Sequence, residues 1–263
     1  MRQIISNLKI LFYHRDLLFT WTYRIIRGRY QQSVLGGLWA IIVPAASTVI
    51  FSIIFTLFVP VDTGETPYLI FSYAAMVPWT LFSSSIGDMV ESLTSNINLV
   101  SKIYFPREIL PISALLARLV DAGISFILLI MLMLYYRVVV NPMELFYFPI
   151  ILAVQCCLSL GIGFFGSALH VFYRDMRPVI ILGLQLWFYA SPVIYPLSAV
   201  PNSLKSLYSL NPMVGVIESF RAIMLSQQIS GSVIVPAALL AVLILIFGYW
   251  FFKRAEFQFA DVI

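Results

Sequence analysis

The stretch YQQSVLGGLWAIIVPAASTVIFSIIFTLFVPV, residues Tyr30–Val61, contains no charged side chain over 32 positions. A helix needs about 20 apolar residues to cross the hydrocarbon core of a bilayer, so this stretch is long enough to span it. Ala122–Tyr136 is short by itself, but the apolar residues 109–117 extend it past Arg118 and Asp121. Four longer stretches are also uncharged: Thr66–Gly87, Leu145–Tyr173, Pro178–Leu204 and Ala222–Phe252. We therefore predict an all-α integral membrane protein with six transmembrane helices.

The predicted segments form a single transmembrane domain, 1–263. An interfacial helix covers 1–30, because apolar residues recur there at helical spacing and Trp21 and Tyr23 suit headgroup depth. The same segment could instead form a dock for a cytoplasmic protein. The six spans are expected at 34–60, 67–90, 109–136, 145–172, 178–196 and 232–252. A pair of short external helices is expected at 197–231.

Composition and charge agree with a membrane protein. Hydrophobic residues make up 61% of the chain and charged residues 11%, against about 25% charged in a typical soluble domain. Twelve Lys and Arg residues fall in the N-terminal segment, the connections after spans 2 and 4, and the tail. The opposite side holds three, Arg137, Lys205 and Arg221. The positive-inside rule then predicts cytoplasmic termini, and the net charge of +4 needs no nucleic-acid partner.

Few side chains suggest catalysis or metal binding. Cys156 and Cys157 are neighbours on one helix and point apart, so we predict packing residues and no disulfide. His14 and His170 lack metal-ligand spacing. Arg118 and Asp121 lie three residues apart and can pair within span 3. No phosphate-binding loop with Gly-Lys-Ser/Thr is present, so any ATP must be hydrolysed by another chain.

The two connections on the predicted cytoplasmic side are short and polar. The first contains Asn98, Lys102, Tyr104, Phe105, Arg107 and Glu108. Paired aromatics beside charges indicate a short helix that inserts into a soluble protein, with a plain interfacial loop as the alternative. The second contains Arg174, Asp175 and Arg177. Its mixed charge suits a specific protein contact or simple solvation.

The connection between spans 5 and 6 contains several turn residues. Pro192 and Pro196 bend the end of span 5, and Asn211-Pro212 separates two apolar helical segments. These helices are too short to span the bilayer and too apolar for free solution, so we predict that they re-enter the outer half of the membrane. Glu218 and Arg221 could pair on one helix face. A surface hairpin that shields the span ends is the alternative.

Several motifs in order resemble the permeases of polysaccharide-exporting ABC transporters. They are Arg29-Tyr30, Ser33–Trp39 with Pro44, Lys102–Pro111, Phe172–Arg177, Ser191–Pro196 with Asn211-Pro212, and Phe257–Val262. The resemblance extends over essentially the whole chain. Gly36-Gly37 departs from the expected pattern of one glycine followed by a larger residue, which affects only local packing.

The resemblance implies a homodimer of six-span subunits with two ATPase subunits that bind ATP and Mg, while this chain binds no cofactor. The cargo would be a lipid-linked O-antigen, capsule or teichoic-acid chain, moved through a channel across the bacterial cytoplasmic (inner) membrane. The two cytoplasmic connections would couple to the ATPase, and the external helices would form a gate. A drug- or lipid-exporting ABC permease and a multi-span enzyme of envelope glycan synthesis are the alternatives.

Aromatic residues are the candidates for contact with a sugar polymer. A smooth aromatic wall offers a sliding chain many weak contacts, although rings also serve as lipid belts and helix packing. The residues we expect along this path are Trp79, Phe82, Trp187, Tyr189 and Tyr195.

Overall fold

The computed structural model describes residues 11–31, 33–64, 66–103, 105–227 and 231–259. Within these ranges the regular structure is helical, and no β-strand is found. The α-helices with described bounds are α1 (Arg15–Tyr30), α2 (Trp39–Ile53), α3 (Tyr68–Glu91), α4 (Ile97–Lys102), α5 (Ile109–Tyr135), α6 (Pro142–Leu145), α7 (Phe148–Phe172), α8 (Met176–Tyr189), α9 (Asn202–Tyr208), α10 (Pro212–Met224) and α11 (Gly231–Ala255). The prediction of an all-α membrane protein is confirmed.

Five helical segments in the described part of the chain are long and apolar enough to cross a membrane. They are Gly36–Phe58, Tyr68–Glu91, Ile109–Tyr135, Pro142–Phe172 and Gly231–Gln258. The helix at the predicted fifth span, α8, has 14 residues, which is about 21 Å at 1.5 Å per residue. It ends at Tyr189, seven residues before the predicted boundary at 196. Pro192 follows closely, and a proline has no N–H for a helical hydrogen bond.

The first span begins at the glycine pair noted in the sequence. Gly36 has φ +50°, a left-handed conformation that most side chains avoid. A Cβ added to Gly37 would lie 3.2 Å from Ile124 of α5. Gly36 is therefore suited to the backbone turn, and Gly37 to close packing of the chain on α5.

Helix α3 is at the centre of the bundle. Most of its residues are buried, and it packs against α2, α5, α7, α8 and α10. By contrast, α8 buries only Leu184, and the segment Gly36–Phe58, which contains α2, is largely exposed. Helices α2 and α8 therefore keep much of their apolar surface open in the single subunit, as α11 also does.

Helices α7 and α11 form the most extensive helix pair in the subunit. They approach backbone to backbone, because a Cβ added to Gly248 would lie 2.0 Å from the carbonyl oxygen of Gly161. Gly215 of α10 has a similar role, since a Cβ there would lie 2.6 Å from the carbonyl oxygen of Val233 on α11. Small residues permit such close contacts between membrane helices.

A hydrophobic cluster joins α1, the segment around α4, the end of α7 and the end of α11. We call this end of the bundle the α1 end. Trp21 is buried in this cluster, whereas Tyr23 is exposed. Trp21 therefore packs against the protein and does not contact lipid, and the headgroup depth expected for Trp21 and Tyr23 stays a prediction. Residues 1–10 of the predicted interfacial helix lie outside the described residues.

Two short helices, α9 and α10, lie within the predicted segment 197–231, of which 228–230 fall outside the described residues. Every residue of α10 except Glu218 is buried, and α10 packs against α3, α7 and α11. It is therefore part of the core of the bundle. Re-entry of the pair into the outer half of the membrane stays a prediction.

Candidate functional site

The first predicted coupling connection has an outward surface on and beside α4. Ile97, Asn98, Lys102 and Ile103 are exposed, with Ile103 at 55%. Two apolar side chains thus lie beside a lysine and an amide without cover from the subunit. Tyr104 lies outside the described residues.

The rest of this connection points inward. Phe105 is 8% exposed and packs in the cluster with Trp21 and Phe252, so the expectation that it presents an aromatic surface is wrong. Glu108 is also buried, and both of its oxygens accept hydrogen bonds of 3.2 Å from Lys253. Pairing with a lysine offsets the cost of removing a carboxylate from water.

Arg107, in the same connection, makes a further contact with the C-terminal region. Its guanidinium donates to the backbone carbonyl of Glu256 and lies 5.8 Å from the centre of the Phe259 ring. With the pair formed by Glu108 and Lys253, this contact fixes the connection to the end of α11. The connection is therefore anchored to the bundle by Phe105, Arg107 and Glu108. Its exposed surface consists of the outward residues on and beside α4.

The second predicted connection is exposed. Tyr173, Arg174 and Asp175 all face outward, and Arg177 pairs with Glu91 at 2.6 Å. This ion pair joins the start of α8 to the end of α3, next to the first connection. We call the exposed residues of the two connections the loop face: Ile97, Asn98, Lys102, Ile103, Tyr173, Arg174 and Asp175.

A cluster of four charges lies where α1, α3 and α5 meet. Arg118 donates to both oxygens of Asp88 at 2.6 and 2.8 Å, and Arg29 donates to the same carboxylate at 2.7 Å. Asp121 accepts from Arg118 at 3.1 Å and also from Arg29 and the Tyr30 hydroxyl. Two guanidinium groups therefore neutralise two carboxylates. We call Arg29, Asp88, Arg118 and Asp121 the charge cluster.

Tyr30 stays protonated beside this cluster. Burial, followed by the hydrogen bond to Asp121, raises the pKa of Tyr30 to about 12. At neutral pH its hydroxyl is therefore a donor to the carboxylate. The cluster borders a cavity of about 130 Å³, whose wall includes Trp39, Thr80 and Ser84.

Only part of the charge cluster is predictable from the sequence. The spacing of Arg118 and Asp121 predicted their contact, and the structure has it at 3.1 Å. Arg29 and Asp88 lie 92 and 30 residues from their partners Asp121 and Arg118. The signal for them was their position near helix ends, beside long uncharged stretches, where a charge needs a partner.

The five aromatic residues predicted to contact cargo differ in burial, and two of them are fully packed inside the bundle. Trp79 is 6% exposed and Phe82 is 0% exposed, and their rings pack against Phe188 and Trp187. These two rings cannot contact cargo in this conformation, so that prediction is wrong for them.

The other three aromatic residues of the path lie near the end of the bundle opposite α1. Trp187 is half-buried and donates from its indole nitrogen to Asn211 at 2.8 Å. Tyr189 is exposed. The hydroxyl of Tyr195 contacts the carbonyl of Tyr189 at 2.9 Å and the hydroxyl of Tyr208. Their contact with cargo stays a prediction.

Arg221 holds the turn after α8 in place. It is 1% exposed, pairs with Glu218 at 2.5 Å and donates to the carbonyl of Pro192 at 2.8 Å. Its guanidinium also lies 3.8 Å from the centre of the Phe71 ring. The predicted pair is therefore present, and Arg221 also joins α10 to α3 and to the turn.

Asparagine and proline residues define the rest of the predicted gate. The Asn211 side chain accepts from the backbone N–H of Met213 at 3.0 Å, which caps α10, and it donates to Ser191 at 3.0 Å. Pro212 occupies the first turn of α10, where a proline has no helical hydrogen bond to lose. Pro196 is extended and precedes a short 3-10 turn.

The contacts described above connect one helix to another. Among the residues that the structure describes, no three His, Cys, Asp or Glu side chains are grouped closely enough to hold a metal ion.

Comparison with known proteins decides the family. The sequence profile of ABC-2 type transporters matches residues 16–225, most of the chain. The chain belongs to the ABC-2 type transporter family. In this ABC-2 type transporter the matched region includes the loop face, the charge cluster and Arg221. Lys253 and Glu256, which hold the first connection, lie beyond it.

Several curated proteins are similar to this ABC-2 type transporter along its length. One is the O-antigen export system permease protein RfbA of Myxococcus xanthus, 28% identical over 99% of this chain and 100% of the relative. An RfbA of Klebsiella pneumoniae is 27% identical over 98% of this chain and 97% of the relative. The polysialic acid transport protein KpsM of Escherichia coli is 27% identical over 80% of this chain and 81% of the relative.

Proposed function

We propose that this chain is the permease subunit of an ATP-driven exporter that moves a lipid-linked polysaccharide across the bacterial cytoplasmic membrane. The observation that carries the proposal is its similarity, over nearly the whole length, to permeases named for O-antigen export. The chain has no phosphate-binding loop. In the proposed complex, ATP and Mg therefore belong to a separate ATPase.

The α1 end is the cytoplasmic end in this proposal. Exposed basic side chains collect there, including Arg24, Arg27, Lys102 and Arg254. At the opposite end, the exposed basic side chains among the described residues are Arg137 and Lys205. This asymmetry supports an orientation with both termini in the cytoplasm.

Two copies of the chain would enclose the channel. Helix α8 buries only Leu184 in the subunit, while Val179, Leu182 and Leu186 stay exposed. The exposed face of α2 adds a second apolar surface. These open surfaces support a homodimer in which the two copies meet through α2 and α8 and the cargo path lies between the copies.

The ATPase would bind the loop face. Ile97 and Ile103 supply apolar contact, while Lys102, Arg174 and Asp175 supply charges that can select a partner. Behind them, Arg107 and Glu108 are held to α11. A movement of the ATPase at this face would therefore reach α11 through these anchors.

The test is polysaccharide export in cells that carry this chain and its partner ATPase in place of their own exporter. Surface polymer should appear with both proteins and should be lost when either is omitted. Polymer that stays inside the cell with both proteins present would refute the proposed cargo.

The loop face is tested with charge reversals at opposite ends of the protein. Lys102→Glu should weaken binding of the ATPase and reduce export, whereas Lys205→Glu should leave both unchanged. Ile103→Asp and Leu207→Asp form a second matched pair, because their side chains are 55% and 64% exposed. Equal ATPase binding by all four variants would remove the loop face from this role.

Orientation is tested separately with single cysteines in a background without Cys156 and Cys157. A membrane-impermeant thiol reagent applied outside the cell should label Ser203→Cys and spare Asn98→Cys. The reverse pattern would place the α1 end outside and overturn the proposed topology.

A further inference from the structure

The cavity beside the charge cluster has both charged and apolar walls. It measures about 130 Å³ and lies between the end of α1, the start of α2, and helices α3 and α5. Its polar lining consists of two guanidinium groups, one carboxylate, four hydroxyls and one indole, from Arg29, Arg118, Asp121, Tyr30, Thr80, Ser84, Ser125 and Trp39. At about 30 Å³ per molecule, such a space holds about four waters.

The charges around the cavity cancel. Arg29 and Arg118 face Asp88 and Asp121, and all four form one connected set of ion pairs. A free anion would have to compete with carboxylates that are already in place. The site therefore has no net charge with which to attract phosphate, and its polar groups lie among apolar side chains such as Val43 and Leu81.

Hydrogen-bond donors remain available in the cluster. A guanidinium carries five N–H groups. Among the described residues, two nitrogens of Arg29 and three of Arg118 each donate one hydrogen bond. N–H groups of both arginines, together with the hydroxyls of Thr80 and Ser84, can therefore serve a neutral ligand that carries many oxygen atoms.

Trp39 adds an apolar face to these donors. It is 51% exposed although it contributes to the cavity wall, so about half of its surface is left uncovered by the subunit. A sugar ring has an apolar face of C–H groups and an edge of hydroxyls. An aromatic plane beside fixed hydrogen-bonding groups complements both features.

We propose that this cavity binds the edge of one neutral sugar ring of the polymer: the ring stacks on the open surface of Trp39 at the mouth of the cavity, and its hydroxyl edge enters toward Arg29, Arg118, Thr80 and Ser84. The inference rests on the proposed function and adds to it a defined contact for the cargo. The site lies on the α1 side of the bundle, because Asp88 is three residues from the end of α3. In the proposed orientation, cargo would meet it early on its way out.

The test is binding of the exported polysaccharide, released from its lipid by mild acid, to the purified complex in nanodiscs. Trp39→Ala is compared with Trp250→Ala, because these tryptophans are 51% and 52% exposed and Trp250 lies away from the cavity on α11. We expect Trp39→Ala to weaken binding roughly tenfold, the upper range for one aromatic contact. Trp250→Ala should bind as the wild type does.

A second variant tests the hydrogen bond from a hydroxyl, and a second ligand tests whether the site binds an anion. Thr80→Val keeps the shape of the side chain and removes its hydroxyl, so it should weaken binding without unfolding the protein. Inorganic pyrophosphate should not displace the polysaccharide. Equal affinity of Trp39→Ala and Trp250→Ala, absence of polysaccharide binding to the wild type, or displacement by pyrophosphate would each overturn the sugar site. The export assay decides the proposed function separately, since a protein that exports polymer equally with either tryptophan variant keeps its function and loses this site.

Discussion

The contact between Gly161 and Gly248 allows a test of which helices form the rigid part of the bundle. In Gly248→Ala, the new Cβ would lie 2.0 Å from the carbonyl oxygen of Gly161 and 2.7 Å from its carbonyl carbon. Ordinary van der Waals contact begins near 3.4 Å. Since the obstructing atoms belong to the backbone, α7 and α11 must separate by about 1.4 Å at this point, or the helices must bend.

The expected loss of stability follows from two opposing terms. Overpacking a well-packed core costs about 1–3 kcal/mol. Replacing glycine by alanine inside a helix gains about 1 kcal/mol of helix propensity. Gly123→Ala, in α5, has the same gain in helix propensity without the cost of overpacking, because nothing lies within 4 Å of a Cβ there. The difference between the two variants should therefore be about 1–3 kcal/mol.

Thermal unfolding in detergent measures this difference. A free energy of 1 kcal/mol corresponds to about 2–4 °C for chains of 150–250 residues, so Gly248→Ala should melt roughly 2–12 °C below Gly123→Ala. Equal melting temperatures would mean that α7 and α11 separate without loss. The pair would then not be a rigid unit, and the path from the loop face into the bundle would need another helix.

Other contacts lead to three further predictions. Arg221→Met should destabilise the protein by about 3–5 kcal/mol in chemical unfolding, because a buried ion pair loses one partner, and a loss below 1 kcal/mol would contradict the clamp on the turn after α8. Lys253→Met should leave Glu108 buried without its cation and increase proteolysis of the first connection, whereas the exposed control Lys205→Met should change neither; equal proteolysis would exclude the anchor. The pKa of Tyr30 is raised to about 12 from 10, so its contribution to stability is complete below pH 10 and falls as the pH rises toward 12. Tyr30→Phe should remove this part of the alkaline loss, and an unchanged pH profile of unfolding would contradict it.

The sequence was sufficient for the class of protein, the approximate helix positions and the charge asymmetry. Long uncharged stretches such as Tyr30–Val61 have few folded states in a membrane besides a helix, because each backbone N–H and carbonyl must be satisfied within its own segment. Local spacing also predicted the pairs of Arg118 with Asp121 and of Glu218 with Arg221, since residues three apart share a helix face. These features depend on neighbours in the chain, so they can be read without the fold.

Which way each side chain points was decided by the tertiary structure. Phe105 and Ile103 lie two residues apart in one short connection, yet one is buried and the other exposed. Trp79 and Trp39 are both tryptophans in apolar stretches, and only Trp39 keeps an open face. Composition cannot separate such cases, because an apolar residue in a membrane protein can face lipid, another helix or a cavity at similar cost.

The charge cluster is the clearest contribution of the fold. Arg29 and Asp88 come from different helices and reach each other only because α1 packs against α5, which in turn packs against α3. Their positions in the sequence indicated that each charge needs a partner, but they did not identify the partner residue. Charge pairing across helices depends on which helix faces meet, and that is a property of the packed bundle.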